Sequence, residues 1–280
     1  MRAMLRRLSP LWDAYLYNHY QVSAPVVEKK IGHGLIFIIG ASGSGTTMLT
    51  RILSSPAEVI GLGGNSDAIP KENKKAVRLA RIFKQATKKL WDRKAGFEVH
   101  GQAMQVLRCV TDELFELDVF RKAKQLLHKR SAPFGIGDRY RPDLLDLFEL
   151  FADPKILVAY REPKASTYSS LRRGFSSNLR QSAVICEEQL TYLNAQIQSL
   201  DKRSCMVLNY ETFCAHPMEC IEDVASFCQL DRDELRRATL AENVTPIQID
   251  RWRKSLPPND VQYLDTFFSE TRRSQWPLLS

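Results

Sequence analysis

Residues 35–54, Leu-Ile-Phe-Ile-Ile-Gly-Ala-Ser-Gly-Ser-Gly-Thr-Thr-Met-Leu-Thr-Arg-Ile-Leu-Ser, decide how the rest of the chain is read. Leu35 to Ile39 is short, apolar and rich in β-branched side chains, the composition of a parallel strand buried on both faces. Met48, Leu49, Ile52 and Leu53 then return at helical spacing. Between the two runs, Gly40, Gly43 and Gly45 free the backbone for a tight turn and a close approach to a ligand. The amides that open the following helix point at whatever anion sits there, so the stretch predicts a phosphate cradle.

The run comes within one residue of the nucleotide-binding pattern G-x-x-x-x-G-K-[ST]. Gly40 and Gly45 are in place and Thr47 supplies the hydroxyl, but Thr46 stands where the lysine belongs. Phosphoryl transfer depends on that lysine to hold the β- and γ-phosphates. A cradle of backbone donors and hydroxyls still suits a nucleotide with a different charge layout.

A second strand-to-helix junction narrows the choice. Lys155 to Tyr160 reads as another buried strand, followed by Arg161-Glu162-Pro163-Lys164-Ala165-Ser166-Thr167-Tyr168-Ser169. Pro163 fits the first turn of a helix, which leaves Arg161 at the strand's C-terminal end and Ser169 about two turns further on. Ligands of open parallel sheets bind outside those strand ends. A guanidinium fork and a hydroxyl there form a pair suited to a second phosphate.

These residues resemble the sulfotransferases that use 3′-phosphoadenosine 5′-phosphosulfate (PAPS), in particular the bacterial and Golgi type. That family carries a loop of the form [KR]-S-G-T-T after its first strand, and Ser44, Gly45, Thr46 and Thr47 match all but the first position. Its second signature, R-[DN]-P with a serine eight residues after the arginine, is matched by Arg161, Pro163 and Ser169. The resemblance implies a P-loop-like α/β three-layer sandwich with a central parallel sheet and a helical insertion. It implies PAPS as donor, with no metal, held by Gly43, Ser44, Gly45, Thr46 and Thr47 at the 5′ side and by Arg161 and Ser169 at the 3′-phosphate. Weaker matches extend it over roughly residues 34–275: Val207 to Glu211 with a Y-E pair, His216-Pro217, and Arg251-Trp252-Arg253, a basic segment that the family places over the nucleotide.

Two departures concern the chemistry. Gly43 stands where the family has the Lys or Arg that neutralises charge on the bridging oxygen, a role exercised where transition-state charge develops. Gly64 stands where many relatives place a glutamate base. Arg139, in a Gly137-Asp138-Arg139 run similar to a family D-K pair, is the candidate replacement cation. Asp67, His100 and Asp138 are candidate acceptors of the acceptor's proton, beside their ordinary roles as loop cap, satisfied histidine and salt-bridge partner.

The 280 residues, 44% of them apolar, suffice for one α/β core. The expected organisation is one domain over 1–280, with an N-terminal helical extension at 1–33 and a helical insertion at about 60–130 above the acceptor side. The basic N-terminus lacks the apolar run of a signal peptide, and no stretch reaches the length of a membrane span. Six cysteines without zinc-type spacing read as reduced thiols of a cytoplasmic protein.

Lysine and arginine exceed acids by 40 to 32, and ten of the basic residues lie between Lys71 and Lys94. Leu79, Phe83, Ala86 and Leu90 recur there at helical spacing, which predicts a basic amphipathic helix. Such a face is either solvated or a dock for an anionic acceptor or an anionic membrane surface. No nucleic-acid motif accompanies it, so no nucleic-acid partner is expected.

The expected elements are strands at 35–39, 133–137, 155–160 and 205–209, and helices at 45–54, 74–92, 103–128, 142–151, 163–173, 179–201, 217–229 and 259–272. Phe97-Glu98-Val99 reads as a short strand or a loop. The function that follows is sulfuryl transfer from PAPS to a hydroxyl or amine of a glycan, lipid or small metabolite. The alternatives are a catalytically silent nucleotide-binding protein and a kinase-like phosphotransferase.

Overall fold

The computed structural model describes residues 13–21, 29–62, 69–131, 139–246, 249–269 and 274–279. Five parallel strands form its centre: β1 (Gly34–Gly40), β2 (Val59–Gly61), β3 (Gln125–Ser131), β4 (Pro154–Tyr160) and β5 (Cys205–Asn209), in the order β2-β3-β1-β4-β5. Strand β1 lies in the middle because its residues are buried on both faces. Leu35, Phe37 and Ile39 join one core layer, and Ile36 and Ile38 join the other. The chain leaves β1 toward the β2 and β3 side, then crosses to β4. The crevice at the C-terminal ends of β1 and β4 is the switch point where ligands of such sheets bind.

Helices cover both faces, the architecture expected when strands alternate with helices. On the Ile36 face lie α2 (Thr46–Leu53), α8 (Tyr210–Ala215), α9 (Pro217–Cys228) and α10 (Arg232–Ala241). The Phe37 face carries α1 (13–21), α3 (Lys74–Leu90), α4 (Phe97–Phe115), α5 (Leu145–Leu150), α6 (Pro163–Arg172) and α7 (Leu179–Gln198). Two short helices, α11 (Arg251–Ser255) and α12 (Pro258–Phe267), follow, and Trp252, Leu264 and Trp276 close that layer. Among the described residues no helix is long and apolar enough to cross a membrane.

The region between α3 and α5 departs from the sequence expectation. The helix expected at 103–128 begins earlier, at Phe97, and ends at Phe115. It is followed by a 3-10 turn at Asp118–Phe120 and then by β3. Phe97-Glu98-Val99 is therefore the first turn of α4, neither strand nor loop. Strand β3 escapes a reading of apolar runs because His128, Lys129 and Arg130 interrupt it, yet β1 and β2 pair with it on either side and bury Leu126, Leu127 and His128. The expected strand at 133–137 lies outside the described residues. Helices α3 and α4 enter between β2 and β3 and pack against each other over the Phe37 face.

Candidate functional site

The glycine-rich loop expected to cradle a phosphate joins β1 to α2. Gly43 and Gly45 both take positive φ, +83° and +93°, a region that side chains other than glycine's rarely occupy. Each is also crowded: a Cβ on Gly43 would come within 2.8 Å of Ser169 Cβ, and one on Gly45 within 2.6 Å of the Tyr210 ring. Gly45 is the N-cap of α2, whose first turn carries no acidic residue. The opening amides of α2 therefore face an anion unopposed. Ser44 Oγ is buried with no hydrogen-bond partner, a donor waiting in the cradle. Thr46 is buried and its carbonyl accepts from Thr50 Oγ1 at 2.7 Å, so the position taken by a lysine elsewhere is absorbed into the helix.

Arg161 and Ser169 converge on the same place. Arg161, at the end of β4, donates from Nη1 to Gly43 O at 3.0 Å and lies over the Tyr210 ring at 4.3 Å. Its Nε is 3.8 Å from Glu211 Oε1, and the Glu211 carboxylate also accepts from Glu162 N. Burial lowers the Arg161 pKa and raises that of Glu211. Ser169, on α6, and Arg161 line one cavity of about 270 Å³ together with Arg51, Arg172, Arg173, Tyr210, Arg251 and Trp252. Five arginines line it against one carboxylate, Glu242, which pairs with Arg51, so the lining carries an excess of positive charge. Arg253 does not line this cavity; it is 3.7 Å from Asp265 and lies over the Trp252 ring.

Lys129 was not anticipated from the sequence. It sits in β3 opposite Ile38 and donates from Nζ to Thr47 Oγ1 at 2.8 Å. Burial, with Arg173 and Arg51 nearby, pulls its pKa down to about 8. A cation compressed this way is stabilised by an arriving anion. The signal available in sequence was a lysine inside a strand, which is informative only once β3 is located.

Of the catalytic candidates, Arg139 and His100 do not line the cavity that holds Arg161 and Ser169. Arg139 makes a double hydrogen bond to Asp92, at 2.8 and 2.6 Å, and stacks against Tyr140. His100 Nε2 is 3.1 Å from Asp146 Oδ1 in a second cleft of about 340 Å³, whose walls include Trp91, Arg141, Tyr192 and Gln196. Burial raises the Asp146 pKa to about 6, against the opposing pull of His100. Asp67 and Asp138 lie outside the described residues. Helix α7 joins the two regions: Gln189 accepts from Ser42 N at 2.9 Å, and Tyr192 and Gln196, one and two turns on, line the second cleft.

The Sulfotransferase family model matches residues 36–234, more than half of the chain. The chain belongs to the sulfotransferase family. Solved sulfotransferases share its fold. The sulfotransferase domain of the Synechococcus PCC 7002 olefin synthase superposes with a TM-score of 0.52 at 17% identity, over 88% of this chain and 98% of that one. The sulfotransferase from Alicyclobacillus acidocaldarius gives 0.52 at 15% identity, over 90% and 96%. The sulfotransferase domain from the curacin biosynthetic pathway gives 0.52 at 15%, over 85% and 98%. No curated protein matches the sequence.

Proposed function

We propose that this sulfotransferase moves a sulfuryl group from PAPS to a hydroxyl or amine. The observation that carries the reading is the hydrogen bond from Arg161 to Gly43 O, which ties the cradle to the arginine-walled cavity holding Ser169 and Arg251. Two anion sites joined by one side chain suit a nucleotide phosphorylated at both its 5′ and 3′ positions. The partnerless Ser44 hydroxyl and the crowded glycines are consistent with a phosphate seated against the backbone.

The donor supplies an activated sulfuryl group, whose bond to the 5′-phosphate oxygen breaks as the acceptor's new bond to sulfur forms. The amides and hydroxyls of residues 43–47 hold the 5′ end, and Arg161 with Ser169 holds the 3′-phosphate. Lys129, beside Thr47, brings the positive charge that the loop lacks at Gly43, and it acts where charge grows on the departing oxygen. We assign it this role in place of Arg139, whose guanidinium is already engaged by Asp92. On the acceptor side, His100, oriented by Asp146, is the group suited to accept a proton. A kinase-like reaction is disfavoured by Thr46, and a silent binder by Lys129.

The test is a thermal-shift comparison of adenosine 3′,5′-bisphosphate, ADP and AMP, since stabilisation follows occupancy of the folded state. The bisphosphate is expected to stabilise most. Equal stabilisation by ADP removes the 3′-phosphate assignment. Tight bisphosphate binding with no transfer from labelled PAPS to any of a broad acceptor panel makes the silent binder the better reading.

A further inference from the structure

Helix α3 is the most one-sided of the described helices. Its 17 residues contain seven lysines and arginines and not one acid. Lys74, Lys75, Arg78, Arg81, Lys84, Lys88 and Lys89 are all exposed. The opposite face is buried through Ala76, Leu79, Ile82, Phe83, Ala86 and Leu90. At 100° per residue the seven cations span about half of the helix circumference, along a length of about 25 Å. Two of them have acidic neighbours at the flanks: Lys75 is 3.8 Å from Glu113, and Arg81 is 3.8 Å from Asp13. Past the helix end, Arg93 and Lys94 are exposed as well.

Phe97 follows at once, and it is 98% exposed, the most exposed large apolar side chain described. It borders a hollow shared with Leu90, Asp92, Ala95, Gly96 and His100, in which Asp92 is buried and engaged by Arg139. A phenylalanine held in water at the end of a cationic face has the character of an interfacial anchor: charge gathers the surface, and one apolar side chain enters it. A cationic helix face with a single exposed aromatic side chain suits a lipid surface, whereas single-stranded nucleic acid is typically held in a groove with several stacking rings.

We propose that α3 and Phe97 form a peripheral docking surface for an anionic lipid bilayer. The proposal is independent of the nucleotide site. Docking in this orientation brings the hollow beside His100 to the bilayer surface, so an acceptor held in the membrane is presented on that side of the molecule.

The full-length protein, without nucleotide, should co-sediment with vesicles of phosphatidylcholine plus phosphatidylserine and not with phosphatidylcholine alone. Raising the salt should release it, because exposed charges are screened. Lys84→Glu combined with Lys88→Glu should weaken partitioning by at least about tenfold, each neighbouring cation contributing about a fivefold factor. Phe97→Ser should weaken it by roughly tenfold through lost apolar burial. All the substituted side chains are exposed, and unchanged melting temperatures verify that the variants fold. Equal binding to neutral vesicles, or no binding to anionic ones, overturns the proposal. So does salt-sensitive binding to heparin or single-stranded DNA in the absence of vesicle binding, which would give the same face to a soluble polyanion.

Discussion

Gly43 and Lys129 describe one exchange between two positions. A basic side chain at 43 would have to accept a φ of +83° and push into Ser169 and the Ser166 carbonyl, whereas Lys129 reaches Thr47 from β3 without strain on the loop, which supports its proposed role. Lys129→Met is therefore expected to lower kcat by about a hundredfold or more, the scale of losing one transition-state donor, while weakening bisphosphate binding far less. Lys129 also leaves a mark on stability. Unfolded, it keeps its proton up to 10.5; folded without ligand, it releases it near 8. Between those values the unfolded state binds more protons, so the stability of the ligand-free protein rises with pH across that window. Melting temperatures of the parent and of the Met variant should show this contribution in the parent only. At the proposed 3′-phosphate site, Arg161→Ala should weaken adenosine 3′,5′-bisphosphate binding by roughly 1.5–3 kcal/mol and leave AMP nearly unchanged, as calorimetry can measure. Equal losses for both ligands would mean that Arg161 acts through the loop it bonds to and not on the 3′-phosphate.

Among the elements, the loop into α2 and the junction of β4 with α6 were legible because their chemistry is local: glycines where the chain turns back, Pro163 at the first helical position, an arginine and a serine at fixed spacing. Strand β3 was hidden because its polar run of His128, Lys129 and Arg130 reads as a solvated helix end. Only pairing with β1 and β2 makes it interior, and sequence does not display pairing. Tyr210 and Glu211 were visible as a weak match, but their service to Arg161, one as a ring beneath it and the other as a carboxylate beside it, depends on β5 lying next to β4. His100 was named from sequence without its partner, since Asp146 comes from a helix 46 positions away. The loop offers its own test. Gly43→Lys restores the family's usual residue on paper, yet here it should destabilise the protein by about 1–3 kcal/mol in denaturant unfolding and reduce bisphosphate affinity. A variant as stable as the parent, with higher kcat, would show that the loop tolerates the side chain.

On the scale of the whole molecule, the Phe37 layer is closed by residues far along the chain. Trp276, 1% exposed, donates from Nε1 to Thr191 Oγ1 at 3.1 Å, and Leu278 N donates to Asn194 Oδ1 at 3.1 Å, so the last described segment clasps the C-terminal half of α7. Trp276→Ala should cost about 3–5 kcal/mol in equilibrium unfolding, the range for removing a buried aromatic ring. A loss below about 1 kcal/mol would mean that this segment merely lies on the surface. Helix α7 is held at its start as well, where Ser182 Oγ donates to Thr167 O at 2.9 Å. Along its length it touches the cradle through Gln189 and lines the second cleft through Tyr192 and Gln196. A beam pinned at two points and loaded at two others does not let its loads act separately. The two substrates should therefore register each other's arrival, and initial-rate plots for donor and acceptor should show synergy that Gln189→Ala erases, even though that residue reaches neither sulfur nor acceptor.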